Sequence, residues 1–151
     1  MPTPRLLDAL KAHLISQGIV RDPRTAGSLP PFWRQPRDGV PAPGEVPSNG
    51  TATEAGDPVA AAFISGGFPV GRFESAWRRP TVEIRIRASK APAGEDLGEQ
   101  IIAAVIDRTN WTMGGRQIIE AQMWRPLAPV GSDAQGFDYL LAIAFEIYAP
   151  Q

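Results

Sequence analysis

Thr81-Val82-Glu83-Ile84-Arg85-Ile86-Arg87-Ala88 alternates without a break. Val82, Ile84, Ile86 and Ala88 share one face, and Thr81, Glu83, Arg85 and Arg87 share the other. Strand side chains repeat every second residue, so this is a half-buried strand with an apolar face and a charged face. Pro80 stands at its entrance, where a missing N–H is tolerated. Ala91-Pro92 follows it and leads into a helix. The strand divides the chain. What lies C-terminal to it reads as a compact α+β unit; what lies N-terminal reads as one helix and a long irregular arm.

Downstream, residues 94–108 carry a helical stripe of Leu97, Ile101, Ala104 and Val105, widened by Ile102 and Ile106. Glu95 and Asp96 are expected in its first turn, where the helix dipole favours acids. Asn110 begins the exit, and Gly114-Gly115 is a turn. Residues 116–124 read as a strand, with Gln117, Ile119, Ala121 and Met123 on one face and Ile118, Glu120, Gln122 and Trp124 on the other. Pro126 is expected to close it. Residues 129–136 are rich in turn formers and link it to a last strand at 137–148. There Phe137, Tyr139, Leu141, Ile143, Phe145 and Ile147 make an unbroken apolar face.

Upstream, residues 3–18 read as a helix on the stripe Leu6, Leu10, Leu14, with Leu7 beside it. Thr3-Pro4 fits an N-cap and first position, and Gly18 a stop. His13, the single histidine, falls at the edge of the stripe, where a structural or solvated role is expected rather than a catalytic one, because acid–base work needs partners. Residues 22–58 are different: positions 23–58 hold eight prolines and five glycines and few large apolar residues. Such a segment cannot pack a core of its own. Pro30-Pro31-Phe32-Trp33 within it reads either as a docked anchor or as a tuck of the arm against its own domain. Residues 59–64 fit a buried strand or a helical turn, and the glycines and Pro69 beyond favour a strand. Residues 68–79 are expected to be a connecting loop with an extended piece.

The totals bound the function. At 151 residues one domain is expected, made of a helix at 3–18, an arm at 22–58 and an α+β core at 59–149. The sheet is expected to be antiparallel, with four or so strands and two main helices flanking it. The chain has no cysteine, which excludes disulfides and thiolate metal sites and suits a reducing cytoplasm. Its net charge of −1 lacks the basic excess of a dedicated nucleic-acid binder. No apolar run approaches the about 20 residues of a membrane helix, and no signal-peptide core is present, so a soluble, non-secreted protein is expected. Phosphate loops, zinc-protease motifs, nucleophile elbows and Cys/His clusters are all missing. Asp133, in Gly-Ser-Asp-x-x-Gly, lacks the several oxygen ligands calcium needs and reads as a turn residue. No catalytic, cofactor-binding or metal-binding residue is therefore expected, and the chain does not read as an enzyme.

The order of elements is itself informative. A leucine-rich helix precedes RPTVEIRIRAS (79–89), then AGEDLGEQIIAAVID (93–107), then GGRQIIEAQMWRPLAPVGSDAQGFDYLLAIAFEIYA (114–149). This resembles the tail terminator (tail completion, minor tail or neck) proteins of long-tailed bacteriophages. The likeness rests on the strand ending in Arg-Ala-Ser and on the strand, Pro-Leu, Gly-Ser-Asp-x-x-Gly and aromatic closing strand of residues 119–148. It covers the first helix and about residues 59–149, and the proline-rich arm departs from it. The resemblance implies a virion protein of the tail and neck, assembled in the host cytoplasm. It implies a six-membered homo-oligomeric ring that caps the tail tube and docks the head connector. Its expected partners are further copies of itself, the tail tube protein and a head-completion or stopper protein. Passing DNA would make only non-specific contact, and neither a cofactor nor a membrane is implied. Candidate interface anchors are Phe32, Trp33, Trp124 and Tyr148. Glu83, Arg85 and Arg87 are candidates for a ring lumen or for intersubunit ion pairs, against the plainer reading of a solvated strand face. Two alternatives stand beside this: another connector, stopper or tube subunit, and a non-phage α+β module that binds proteins through its Pro-rich arm.

Overall fold

The computed structural model describes residues 4–23, 25, 27–34, 58–66, 77–133 and 136–148. Its elements are α1 (Leu6–Ser16), β1 (Phe32–Arg34), β2 (Val59–Gly66), β3 (Trp77–Arg78), β4 (Thr81–Ala88), α2 (Ala91–Val105), β5 (Thr109–Met113), β6 (Arg116–Asp133) and β7 (Gly136–Tyr148). The alternating stretch is β4, and it lies inside the sheet, whose order is β1-β2-β4-β7-β6-β5 with β3 paired to the end of β7. All pairings are antiparallel except β1 with β2. The class is α+β, as expected, with two helices among the described residues. The sheet is larger than four strands and is mixed, because the arm contributes β1 and the region after α2 contributes β5.

Register explains the burial. Ile84 of β4 faces Ala62 on β2 and Leu141 on β7, while Ile86 faces Ala60 and Tyr139. These apolar positions join Leu6, Leu10 and Leu14 of α1 and Leu97, Ile101 and Val105 of α2 in one core. Both helices therefore cover the same face of the sheet. Fully burying one such aliphatic side chain contributes about 1.5–3 kcal/mol.

α1 begins at Leu6 after Arg5, which makes no side-chain cap; Thr3 lies outside the described residues. Its end is as expected. Gly18, at φ 72°, donates its N–H to the Ile15 carbonyl (3.0 Å), and Ile19 donates to Leu14 (3.1 Å). That pair of bonds satisfies carbonyls the helix end would orphan. Asp8 of α1 pairs with Arg34 of the edge strand β1 at 2.7 Å, and at the other side Arg116, at the start of β6, donates to the carbonyl of Pro4, just before α1, at 3.0 Å. The sheet thus curls around α1. Gly114, at φ 56°, lies where a Cβ would overlap the Ala9 carbonyl, so the β5–β6 turn can close over the helix only with glycine there. His13 is buried, donates from Nε2 to the Ala104 carbonyl (2.9 Å) and meets Trp111 edge-on at 5.0 Å. The single histidine ties the two helices together.

α2 starts three residues before the sequence boundary, at Ala91, so Glu95 and Asp96 fall in its second turn and have no capping role. The dipole effect is confined to the first turn. Glu95 instead shares the Tyr139 hydroxyl proton (3.4 Å) with the Ala91 carbonyl (3.2 Å). Burial, and then the Glu95 charge, push the Tyr139 hydroxyl above the usual tyrosine range. Gly94 and Gly98 lie one turn apart on the buried stripe. A Cβ on Gly94 would stand 2.7 Å from the Tyr139 ring, and one on Gly98 2.6 Å from Leu127. The helix is seated on the sheet by absent side chains.

Two further expectations are corrected. Pro126 does not close β6: the strand continues to Asp133, with register shifts at Met123/Arg125, Arg125/Ala128 and Pro129/Gly131. β5 pairs β6 only as far as Glu120, so these prolines lie on an open edge, where a missing N–H breaks no ladder. The link at 129–136 therefore shrinks to the hairpin tip, and the Asp133 side chain lies outside the described set. The arm is also partly built in. Arg21 is buried and donates from Nε to the Leu29 carbonyl (2.8 Å) and from Nη1 to the Thr25 carbonyl (2.7 Å), folding the chain back so that Phe32 enters β1. Residues 35–57 and 67–76, including most of the expected arm and of the 68–79 loop, lie outside the described residues.

Candidate assembly surface

The second face of the sheet begins with the other half of β4. Arg87 lies between Val59 of β2 and Asp138 of β7, Arg85 between Ala61 and Leu140, and Glu83 between Phe63 and Ala142. The Arg85 row continues to Trp33 on β1 and Ala128 on β6. Among the described residues no helix covers this face, since the sheet's contacts with α1 and α2 lie on the other.

The charges here are not equivalent. Arg87 holds both Asp138 oxygens from Nη1, at 3.0 and 3.2 Å, with its side chain largely buried. It is committed within the chain. Arg85 is exposed and sits 5.5 Å from the centroid of the Phe63 ring, within range of a cation–π contact. It makes no ion pair with the described residues, and neither does the half-buried Glu83. Arg79 pairs with Glu146 at 3.2 Å toward the far end of β7. Arg85, Arg87, Asp138, Leu140 and Val130 line an open groove of about 480 Å³, in which charged groups and two aliphatic side chains alternate.

The candidate anchors separate in the same way. Phe32 is wholly buried and faces Ala60 on the helix side, so it anchors the arm to its own domain and has no surface to offer a partner. Trp33, next in sequence, is half-buried and faces the opposite way, in register with Ala61. Trp124 is 65% exposed on the open edge of β6. The Tyr148 side chain lies outside the described residues. Along that edge Pro126 and Pro129 are exposed and the register slips three times, features that keep an edge from recruiting another strand. The edge presents a large side chain, not a backbone template.

Asp138, Leu140, Val130 and Phe63 were not singled out from sequence. Only strand register places them beside Arg85 and Arg87. Among the described residues no three His, Cys, Asp or Glu side chains gather as metal ligands, and no helix is long and apolar enough to cross a membrane. Arg116 is buried, which lowers its guanidinium pKa, and its bond to Pro4 serves the fold. No protein-family model matches the chain, and no curated protein matches it in sequence.

Proposed function

We propose that this chain is a non-enzymatic structural subunit of a phage neck, a tail terminator that assembles into a ring. The ring would cap the tail tube and present a docking surface to the head connector. One observation carries the proposal: both described helices lie on one face of the sheet, and on the other, where Val59, Ala61 and Ala142 are buried within the chain, Arg85 stays exposed beside an open groove that mixes charged and aliphatic side chains. Arginine and tryptophan are the residues that most often dominate binding energy at interfaces. The resemblance in element order supplies the setting, the virion neck, and the partners: other copies, the tube protein and a stopper protein. A closed ring needs a heterologous interface, in which two different patches of the same chain meet. Trp124 and Trp33 replace Phe32 as its aromatic anchors.

Solution mass across a concentration series, with electron micrographs of the same samples, tests this. Six copies of a 16.3 kDa chain weigh about 98 kDa, and a discrete species there with rings on the grid is the expected result. Long tubes would assign the chain to the tail tube instead. A monomer at every concentration up to the millimolar range would contradict self-association.

A further inference from the structure

The groove around Arg85 has a complement on the opposite side of the same molecule. Within α2 there is no lysine or arginine. Its exposed residues include Pro92, Asp96, Glu99 and Ala103. These are spaced four, three and four apart, so they form one stripe along the helix. Two carboxylates stand at its centre and small apolar residues at its ends. Asp96 and Glu99 make no ion pair with the described residues. The groove on the second face of the sheet is the inverse, with the Arg85 guanidinium flanked by Leu140 and Val130. Arg87 adds little net charge there, because Asp138 already neutralises it.

We infer that the acidic stripe of α2 in one copy seats in the Arg85 groove of the next, with Glu99 or Asp96 as the carboxylate that Arg85 receives. The inference rests on the self-association proposed above and names its two surfaces. A second copy is favoured over another acidic partner because groove and stripe occur on one chain and face away from each other. Two different patches on opposite sides make the contact heterologous, so it propagates from copy to copy until the rotation closes. The Phe63 ring beneath Arg85 holds the guanidinium partly ordered before contact, which reduces the side-chain entropy lost on binding. Like charges brought together by a wrong pairing would be repelled, so the same charges also fix the order of the copies.

The test is a charge exchange between two exposed positions. Arg85→Glu and Glu99→Arg are each expected to raise the concentration for half-assembly by about tenfold or more. The informative sample is their equimolar mixture. Alternating copies then meet Glu against Arg at one junction and Arg against Glu at the next, so assembly should return toward the wild-type value. Recovery in the mixture also shows that both variants fold. If the wild-type ring forms and neither single change weakens it, this pairing is wrong while the ring stands. Weakened single variants that fail to recover on mixing would also overturn it. A wild-type chain that never assembles would remove the proposed function itself, and this inference with it.

Discussion

Ile84 and Arg85 are neighbours on one strand, yet they belong to different parts of the protein's physics. Ile84 points into a core closed by two helices, where Ala62 and Leu141 flank it. Arg85 points to the face that neither described helix covers and rests beside Phe63. One face of the sheet is specified by volume, since interiors are packed about as densely as organic crystals. On the other, buried Val59, Ala61 and Ala142 stand beside Glu83, Arg85 and Arg87, and of these three Arg85 is the exposed one. Changes on the first face should therefore register in stability, and changes on the second in association.

The largest expected effect is on the helix face. Ile84→Ala removes a fully buried side chain from the centre of the sheet and should cost about 2–5 kcal/mol, read from chemical denaturation of the dilute chain. Next comes Gly98→Leu. Its side chain must enter space that the Leu127 side chain fills, so either Leu127 turns away or α2 lifts from β6, at about 1–3 kcal/mol in the same assay. Loss of that magnitude from adding, not removing, atoms would show that α2 is seated by close approach.

A smaller and conditional effect comes from Tyr139. Its hydroxyl titrates above the ordinary value of 10.0 in the folded chain, chiefly because it is buried and secondarily because Glu95 stands beside it. Below that value both folded and unfolded states keep the proton and the group adds no pH dependence. As pH rises past it, the unfolded state ionises first, binds fewer protons and is favoured, so stability falls until the folded pKa is passed. Tyr139→Phe should flatten this alkaline loss in melts recorded between about pH 9 and 11.5. An unchanged slope would mean that other groups set it.

How much of this was legible depended on whether one rule governed a stretch. β4 and β7 could be read because two-residue alternation runs through them unbroken, and the end of α1 because Gly18 does what a helix stop requires. β5 carries no such rule: Thr-Asn-Trp-Thr-Met is short and mostly polar, and Asn110 at φ 49° breaks the extended run. β6 was cut short at Pro126 because proline forbids an interior strand but not an open edge, and sequence does not show which strands are edges. Phe32 and Trp33 were legible as a contact point but not as two opposite ones. Whether an aromatic faces the helices or the other way is fixed by the parallel register of β1 on β2, a long-range fact. The Arg87–Asp138 pair, 51 residues apart, was hidden for the same reason. Gly94 and Gly98 left no apolar signal, although they set how closely α2 approaches.

The most direct measurement is a matched pair of substitutions at the two neighbours on β4, each read twice. Stability is measured on the dilute chain, and assembly by mass across a concentration series. The two-faced sheet predicts that Ile84→Ala lowers stability by about 2–5 kcal/mol, whereas Arg85→Ala leaves it within about 0.5 kcal/mol and weakens assembly. If Arg85→Ala instead destabilises the chain as Ile84→Ala does, or leaves assembly untouched, the second face is not an assembly surface.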